Sequence, residues 1–245
     1  MLKIISKPIR KILNNFGYEI IKKIDAYGHT ESGNWLEKLN ISTIIDVGAN
    51  IGQFSIAINA TLPGRKIIAF EPIKSCYDKL VENTNSLNIT TFNCGLSDEN
   101  STSEINISEN FESSSFLQME TLHKKLYPYS KYTGTQEVQI KRMDDVLGQL
   151  KLANNILLKI DVQGYERQVL AGATETLKTV SAVIIEFAYQ PIYSGQWLFD
   201  ETYSFFNSIG FAFVGLADQV YSKETAIPIY GDAIFVKREL VKSLY

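Results

Sequence analysis

From Glu31 onward, short apolar runs alternate with stretches whose apolar residues recur at helical spacing. The runs STIIDV (42–47), KIIAFE (66–71), TTFNCG (90–95), NILLKID (155–161), SAVIIEF (181–187), FAFVGL (211–216) and DAIFVK (232–237) predict seven strands. Several are apolar at consecutive positions, as strands buried on both faces should be. Helices are expected between them, around 52–61, 74–87, 165–178 and 200–209. Strands alternating with helices imply a parallel sheet wound by right-handed crossovers. Residues 97–141 break the alternation: they lack a long apolar helix, and SEINI and EVQIK there predict an added hairpin. No linker rich in Pro, Gly or Ser divides the chain. The expected organisation is an N-terminal helical extension (1–35) and one α/β domain (36–245) carrying the insertion.

The first residues, MLKIISKPIRKILNNFGYEIIKK, are basic and amphipathic. Such a segment can touch a membrane surface or a partner, but a helix packed on the domain with a solvated basic face is the simpler expectation, with Pro8 interrupting it. No run approaches the roughly 20 apolar residues that span a bilayer. A net charge of -3 over 245 residues argues against a nucleic-acid partner. Cys76 and Cys94 lie apart without ligand spacing, which points to free thiols in a reducing cytoplasm.

In an open α/β sheet the ligand sits at the carboxyl ends of the strands. The first strand ends in DVGANIGQFS, where glycines allow a tight turn and close approach of backbone amides to a ligand. Its D-x-G-x-N-x-G spacing is not the G-x-G-x-x-G of a dinucleotide site; it resembles the S-adenosylmethionine loop of class I methyltransferases. The second strand ends in Glu71, an acid able to accept two hydrogen bonds from ribose hydroxyls.

The succession DVGANIGQFS, AFEP, NCGLSDEN, RMDDVL, LLKIDVQGYE, VIIEF and DAIFVK is similar in order and spacing to FkbM-family methyltransferases, from about Ile44 to Lys237. The resemblance implies a Rossmann-like class I methyltransferase fold: a seven-stranded, mostly parallel sheet with the last strand antiparallel. It also implies S-adenosylmethionine-dependent O-methylation of sugars, surface glycans or secondary metabolites. Carried over, Asp46, Gly48, Asn50 and Gly52 form the methionine-side cofactor wall and Glu71 holds the ribose. The turn containing Leu96 and Ser97 borders the adenine. Where this chain has Gln163, many members have Glu.

LLKIDVQGYE sets two charges, Lys159 and Asp161, into an apolar strand at i and i+2, hence on one face. A sugar hydroxyl is a poor nucleophile at neutral pH, so a base or a metal should help remove its proton. Asp161, at the strand's end, is the leading catalytic candidate, as base, metal ligand or contact to the cofactor amine. Lys159 pairs with it or with Glu186, and Glu166 opens the next helix as a third candidate. Asp161, Glu186 and Asp232 could converge on one rim and offer oxygen ligands to Mg²⁺ or Mn²⁺, though no local metal spacing is present.

His123 is expected to be an exposed loop histidine. Ser113 to Ser115 form either a polar contact surface or a loop, and Tyr127, Tyr129, Tyr132, Tyr189 and Tyr193 are divided between sugar stacking and packing. Asp144-Asp145, ahead of VLGQL, read as a helix N-cap. EFAYQP is not the Asp/Asn-Pro-Pro-Tyr element of nucleic-acid amino-group methyltransferases. The functions left open are O-methyl transfer to a small-molecule or glycan hydroxyl, amino-group methylation, and non-catalytic cofactor binding. The acceptor and the oligomeric state are not legible.

Overall fold

The computed structural model describes residues 35–150 and 152–245. The N-terminal helical extension expected over 1–35 therefore lies almost entirely outside the described residues. The chain runs α1 (Trp35–Lys38), β1 (Thr43–Val47), α2 (Gln53–Thr61), β2 (Lys66–Phe70), α3 (Lys74–Thr84) and β3 (Ile89–Phe92). Then come β4 (Gly95–Ser97), β5 (Ser101–Ser108), a 3-10 turn (Phe111–Ser113), α4 (Thr121–Leu126), β6 (Tyr132–Arg142) and α5 (Met143–Leu147). The last part is β7 (Ile156–Ile160), α6 (Glu166–Ala171), α7 (Thr176–Thr179), β8 (Val180–Ala188), α8 (Phe199–Ser208), β9 (Phe211–Tyr221) and β10 (Pro228–Lys237).

Seven strands form one sheet in the order β3-β2-β1-β7-β8-β10-β9. The β1, β2, β3, β7 and β8 pairings are parallel, and β10 runs antiparallel to both its neighbours. This is the Rossmann-like arrangement expected from the sequence, with the last strand reversed. Alternate residues of the central strands feed two cores. Ile44, Leu157 and Ile184 pack with Leu36, Ile58 and Leu62 on one face. Ile45, Leu158 and Ile185 pack with Met143, Leu170 and Phe206 on the other. Burial on both faces explains the unbroken apolar runs.

The insertion is a hairpin with an addition. β5 pairs antiparallel with β6 as SEINI and EVQIK predict, and β4 joins β6 in parallel to make a three-stranded sheet. Gly95 to Ser97, expected as part of a turn, is thus a strand. The helix expected over 165–178 is broken in two at Gly172. A side chain there would meet the Ser97 carbonyl oxygen at 1.8 Å, so this glycine lets the helix end press against β4. Asp144 corrects another expectation. It lies inside α5, and its carboxylate accepts from Glu175 N, Thr176 N and the hydroxyls of Thr174 and Thr176, capping α7 instead. Although burial disfavours its charge, those hydrogen bonds hold its carboxyl below the usual range.

Candidate functional site

The sheet order reverses between β1 and β7, so the chain leaves these neighbouring strands towards opposite faces and opens a crevice at their carboxyl ends. A cavity of about 440 Å³ lies there, within the range of small-molecule sites. Asp46, Gly48, Asn50, Glu71 and Leu96 line it, together with Lys159, Asp161, Glu186 and Asp232. Gly52 and Ser97 are not on its wall. Gly52 (φ 95°) starts α2, where a Cβ would meet Leu80 and Thr84 at 3.0 and 3.1 Å. The Ser97 hydroxyl donates to Asp98 and meets the Tyr165 hydroxyl at 3.2 Å. Of the two residues expected to border the adenine, Leu96 lines the cavity and Ser97 does not.

Two acids of the cavity wall are held by close hydrogen-bond partners. Asp46 is buried, accepts from Ser55 Oγ at 2.6 Å, and is pushed up to about 6 by burial. Each oxygen of Glu71 takes one backbone amide, from Ile73 and from Asn50, both at 2.8 Å. Burial pushes its carboxyl up to about 7 against those two bonds. Each oxygen keeps a further lone pair for a ligand hydroxyl. Asn50 is left-handed (φ 48°), and its side-chain oxygen is buried without a partner among the described residues. These features fit S-adenosylmethionine: a cavity acid with lone pairs to spare for hydroxyls, an orphaned acceptor beside the glycine loop, and a wall rich in carboxylates for a ligand with sulfonium and ammonium charges.

At the reaction side, the Lys159 ammonium donates to Asp161 Oδ2 at 3.1 Å and pairs with Asp232 at 3.7 Å. Glu186, the alternative partner read from the sequence, acts on it only through its field. Burial opposes the lysine's charge, but Asp161, Asp232 and Glu186 together hold its pKa above the ordinary range. Asp161 is the open member, 39% exposed at its side chain against 5% for Lys159. Glu186 is raised well above the usual carboxylate range by burial and then by Asp161, Glu166 and Asp232.

Glu166 does not reach the cavity wall. Its Oε1 accepts from Val162 N and Gly164 N at 3.2 and 3.1 Å, closing the turn that follows Asp161. The catalytic placement drawn from sequence is thus corrected to support of that turn. The proposed metal trio also changes meaning. Asp161, Glu186 and Asp232 do converge, but Lys159 and the Gln163 amide hold them, a cation and a donor where a metal would stand. Among the described residues, no group of three or more His, Cys, Asp or Glu is placed to hold a metal ion. The residues do not fit a resident Mg²⁺ or Mn²⁺.

The insertion supplies what sequence reasoning missed. His123 is buried rather than exposed, on α4, with Nε2 3.2 Å from the Tyr193 hydroxyl. Ser113 to Ser115 are buried and hydrogen-bonded, with Ser115 Oγ donating to the Gln163 carbonyl. Tyr127 lines the cavity and pairs its hydroxyl with that of Tyr230 at 2.6 Å, whereas Tyr129 is 83% exposed. Tyr132 and Tyr189 bond Leu117 O and Gln219, consistent with packing. A second cavity of about 410 Å³ adjoins through Tyr127. The departure at Gln163 was the one available signal for this network.

A reversed last strand, a glycine loop followed by an acid-ended second strand, and carboxylates at the switch point define a Rossmann-like methyltransferase. Residues 46–213 match the Methyltransferase FkbM domain, and the chain belongs to that family. It is similar to Methyltransferase sdnD of Sordaria araneosa, 30% identical over 71% of this chain and 79% of that one. It is also similar to 2-O-methyltransferase NoeI of Sinorhizobium fredii, 27% identical over 69% and 72%. A third relative is Hexuronic acid methyltransferase AglP of Haloferax volcanii, 28% identical over 58% and 54%.

Proposed function

We propose that this methyltransferase uses S-adenosylmethionine to O-methylate a hydroxyl of a sugar, glycan or secondary metabolite. The observation that carries the reading is Asp161, an open carboxylate at the end of β7 oriented by Lys159 on one oxygen and Gln163 on the other. The bound donor supplies an electrophilic methyl on a sulfonium. Asp161 accepts the proton of the acceptor hydroxyl as its oxygen forms the new bond to the methyl carbon. Giving up that methyl would leave the donor as a neutral thioether. Alignment in such a cavity contributes roughly 7–11 kcal/mol to lowering the barrier. Lys159, 5% exposed at its side chain, sets a cation beside the proton acceptor and leaves Asp161 the more open of the two.

The names of the relatives NoeI and AglP, a 2-O-methyltransferase and a hexuronic acid methyltransferase, support hydroxyl-bearing and sugar acceptors over nucleic acid. Tyr127 and Tyr230 at the cavity wall suit stacking on a sugar ring. The two thiols, Cys76 and Cys94, are unbridged and support a reducing, cytoplasmic setting. No helix among the described residues is long and apolar enough to cross a membrane.

Transfer of labelled methyl from the donor to a panel of nucleotide sugars and glycans tests the reading. Methyl ethers on a hydroxyl support it. Labelled amines would select the amino-group alternative, and cofactor binding without turnover on any acceptor would leave a binding subunit.

A further inference from the structure

We propose that Gln163 is a positioning residue of the transfer centre, the group that lets Asp161 and Glu186 share one cavity rim. The inference rests on the functional reading above, because Asp161 is the group being positioned. Gln163 is left-handed at φ 55°, a strained conformation for a residue with a long side chain. Both ends of its side-chain amide and its backbone carbonyl are engaged. Nε2 donates to Asp161 Oδ1 at 2.9 Å and to Glu186 Oε2 at 3.1 Å. Oε1 accepts from the Tyr193 hydroxyl at 2.9 Å, and the backbone carbonyl accepts from Ser115 Oγ at 2.7 Å.

These partners determine the orientation. A reversed amide would turn its oxygen onto two carboxylates and its NH₂ onto a phenol. The single Tyr193 proton faces two pure acceptors, Gln163 Oε1 at 2.9 Å and the Ser113 carbonyl oxygen at 3.2 Å, with Gln163 the nearer. The His123 ring, 3.2 Å from the same hydroxyl oxygen, must then donate through Nε2–H. The amide thus links the carboxyl end of β7 to Ser115 and His123 of the insertion.

A carboxyl group, which many family members carry at this position, would not make the contacts that this chain's partners receive from the amide. Ionised, it would set a third negative charge within hydrogen-bond distance of two others; protonated, it has one O–H where the amide has two N–H donors. Gln163→Glu should therefore act as a pH switch, and Gln163→Met should remove the donors at every pH. Relative to the unaltered enzyme, methyl transfer by Gln163→Glu should fall about tenfold as pH rises from about 6 to 8. Gln163→Met should be about tenfold slower throughout with no added pH limb. Both variants should bind S-adenosylhomocysteine, showing a folded donor site.

Carboxyl-labelled NMR of Glu186 reads the same contact without an acceptor. In Gln163→Met the Glu186 titration should move to higher pH, because a donor to its charged form is gone. An unmoved Glu186 titration overturns the proposal. So does a Gln163→Glu transfer profile parallel to that of the unaltered enzyme. If no acceptor turns over in any form, the functional reading fails. In that case an upward Glu186 shift still supports Gln163, and an unmoved one still overturns it.

Discussion

Gly48 lies so close to Asp161 that a Cβ on it would sit 1.9 Å from the Asp161 carbonyl oxygen. The glycine also has φ 81°, so a side chain is excluded twice over. The contact brings the loop after β1 flush against the end of β7, and so sets Asn50 and Asp161 on the wall of one cavity. Gly48→Ala should lower stability by roughly 3 kcal/mol or more and abolish S-adenosylhomocysteine binding. Urea unfolding and calorimetric titration measure the two effects. Gly64→Ala is the control: its φ is 77° but nothing lies within 4 Å, so it should lose only about 1 kcal/mol and bind normally.

Removing the carboxylate of Asp161 should separate chemistry from binding. Asp161→Asn keeps the shape and can still meet Lys159 through its carbonyl oxygen, but it loses the proton acceptor. A loss in kcat on the order of 10²–10⁴ is expected, with donor affinity changed far less. Single-turnover transfer and donor titration measure these separately. Normal transfer by this variant would remove Asp161 from the mechanism.

Lys159→Met leaves Asp161 and Asp232 facing each other without their shared cation. Breaking a buried pair by removing one partner costs on the order of 3–5 kcal/mol. The partly exposed Asp161 reduces this to about 2–3 kcal/mol. Urea unfolding at neutral pH tests the magnitude, and unchanged stability would show that the lysine does not hold the acids together.

Acid should weaken the fold through His123. Burial holds its ring down at about 4, against about 6.5 in an unfolded chain. The folded state therefore binds this proton less readily. The stability it contributes is complete above about pH 6.5 and is lost as pH falls towards about 4. Asp46, Glu71 and Glu166 shift upward and act in the opposite direction, so a difference between proteins is the clean measurement. Between about pH 7 and 5 the unaltered enzyme should lose roughly 2 kcal/mol more than His123→Phe, measured by urea unfolding at each pH.

Chelation should leave methyl transfer unchanged. Lys159 and Gln163 occupy the donor positions around Asp161, Glu186 and Asp232 that a divalent cation would need. Rates with EDTA and with added Mg²⁺ or Mn²⁺ should agree within error; activation by either ion would overturn this reading.

Local rules made much of the site legible. The apolar runs marked strands buried on both faces, and DVGANIGQFS marked a turn whose glycines permit close packing. Glu71 and Asp161 stood at strand ends, where an open α/β sheet places its ligand. Each signal lies within a few residues of chain, so sequence spacing alone carries it.

What sequence determined, then, was the order of elements, the alternation that makes a parallel sheet, and which charged residues reach its carboxyl edge. The tertiary structure decided partners. Asp144 caps a helix more than thirty residues later, and His123 meets Tyr193 seventy residues away. Lys159 bonds Asp161 but takes Asp232, from the reversed strand β10, as its second anion. Glu166 turned from the reaction centre to its own turn, and the metal trio became an ion-pair cluster. The physical reason is that a buried charge or hydrogen-bonding group is stable only beside a complement. That complement is set by strand order and by how the insertion packs, neither of which is encoded in local periodicity.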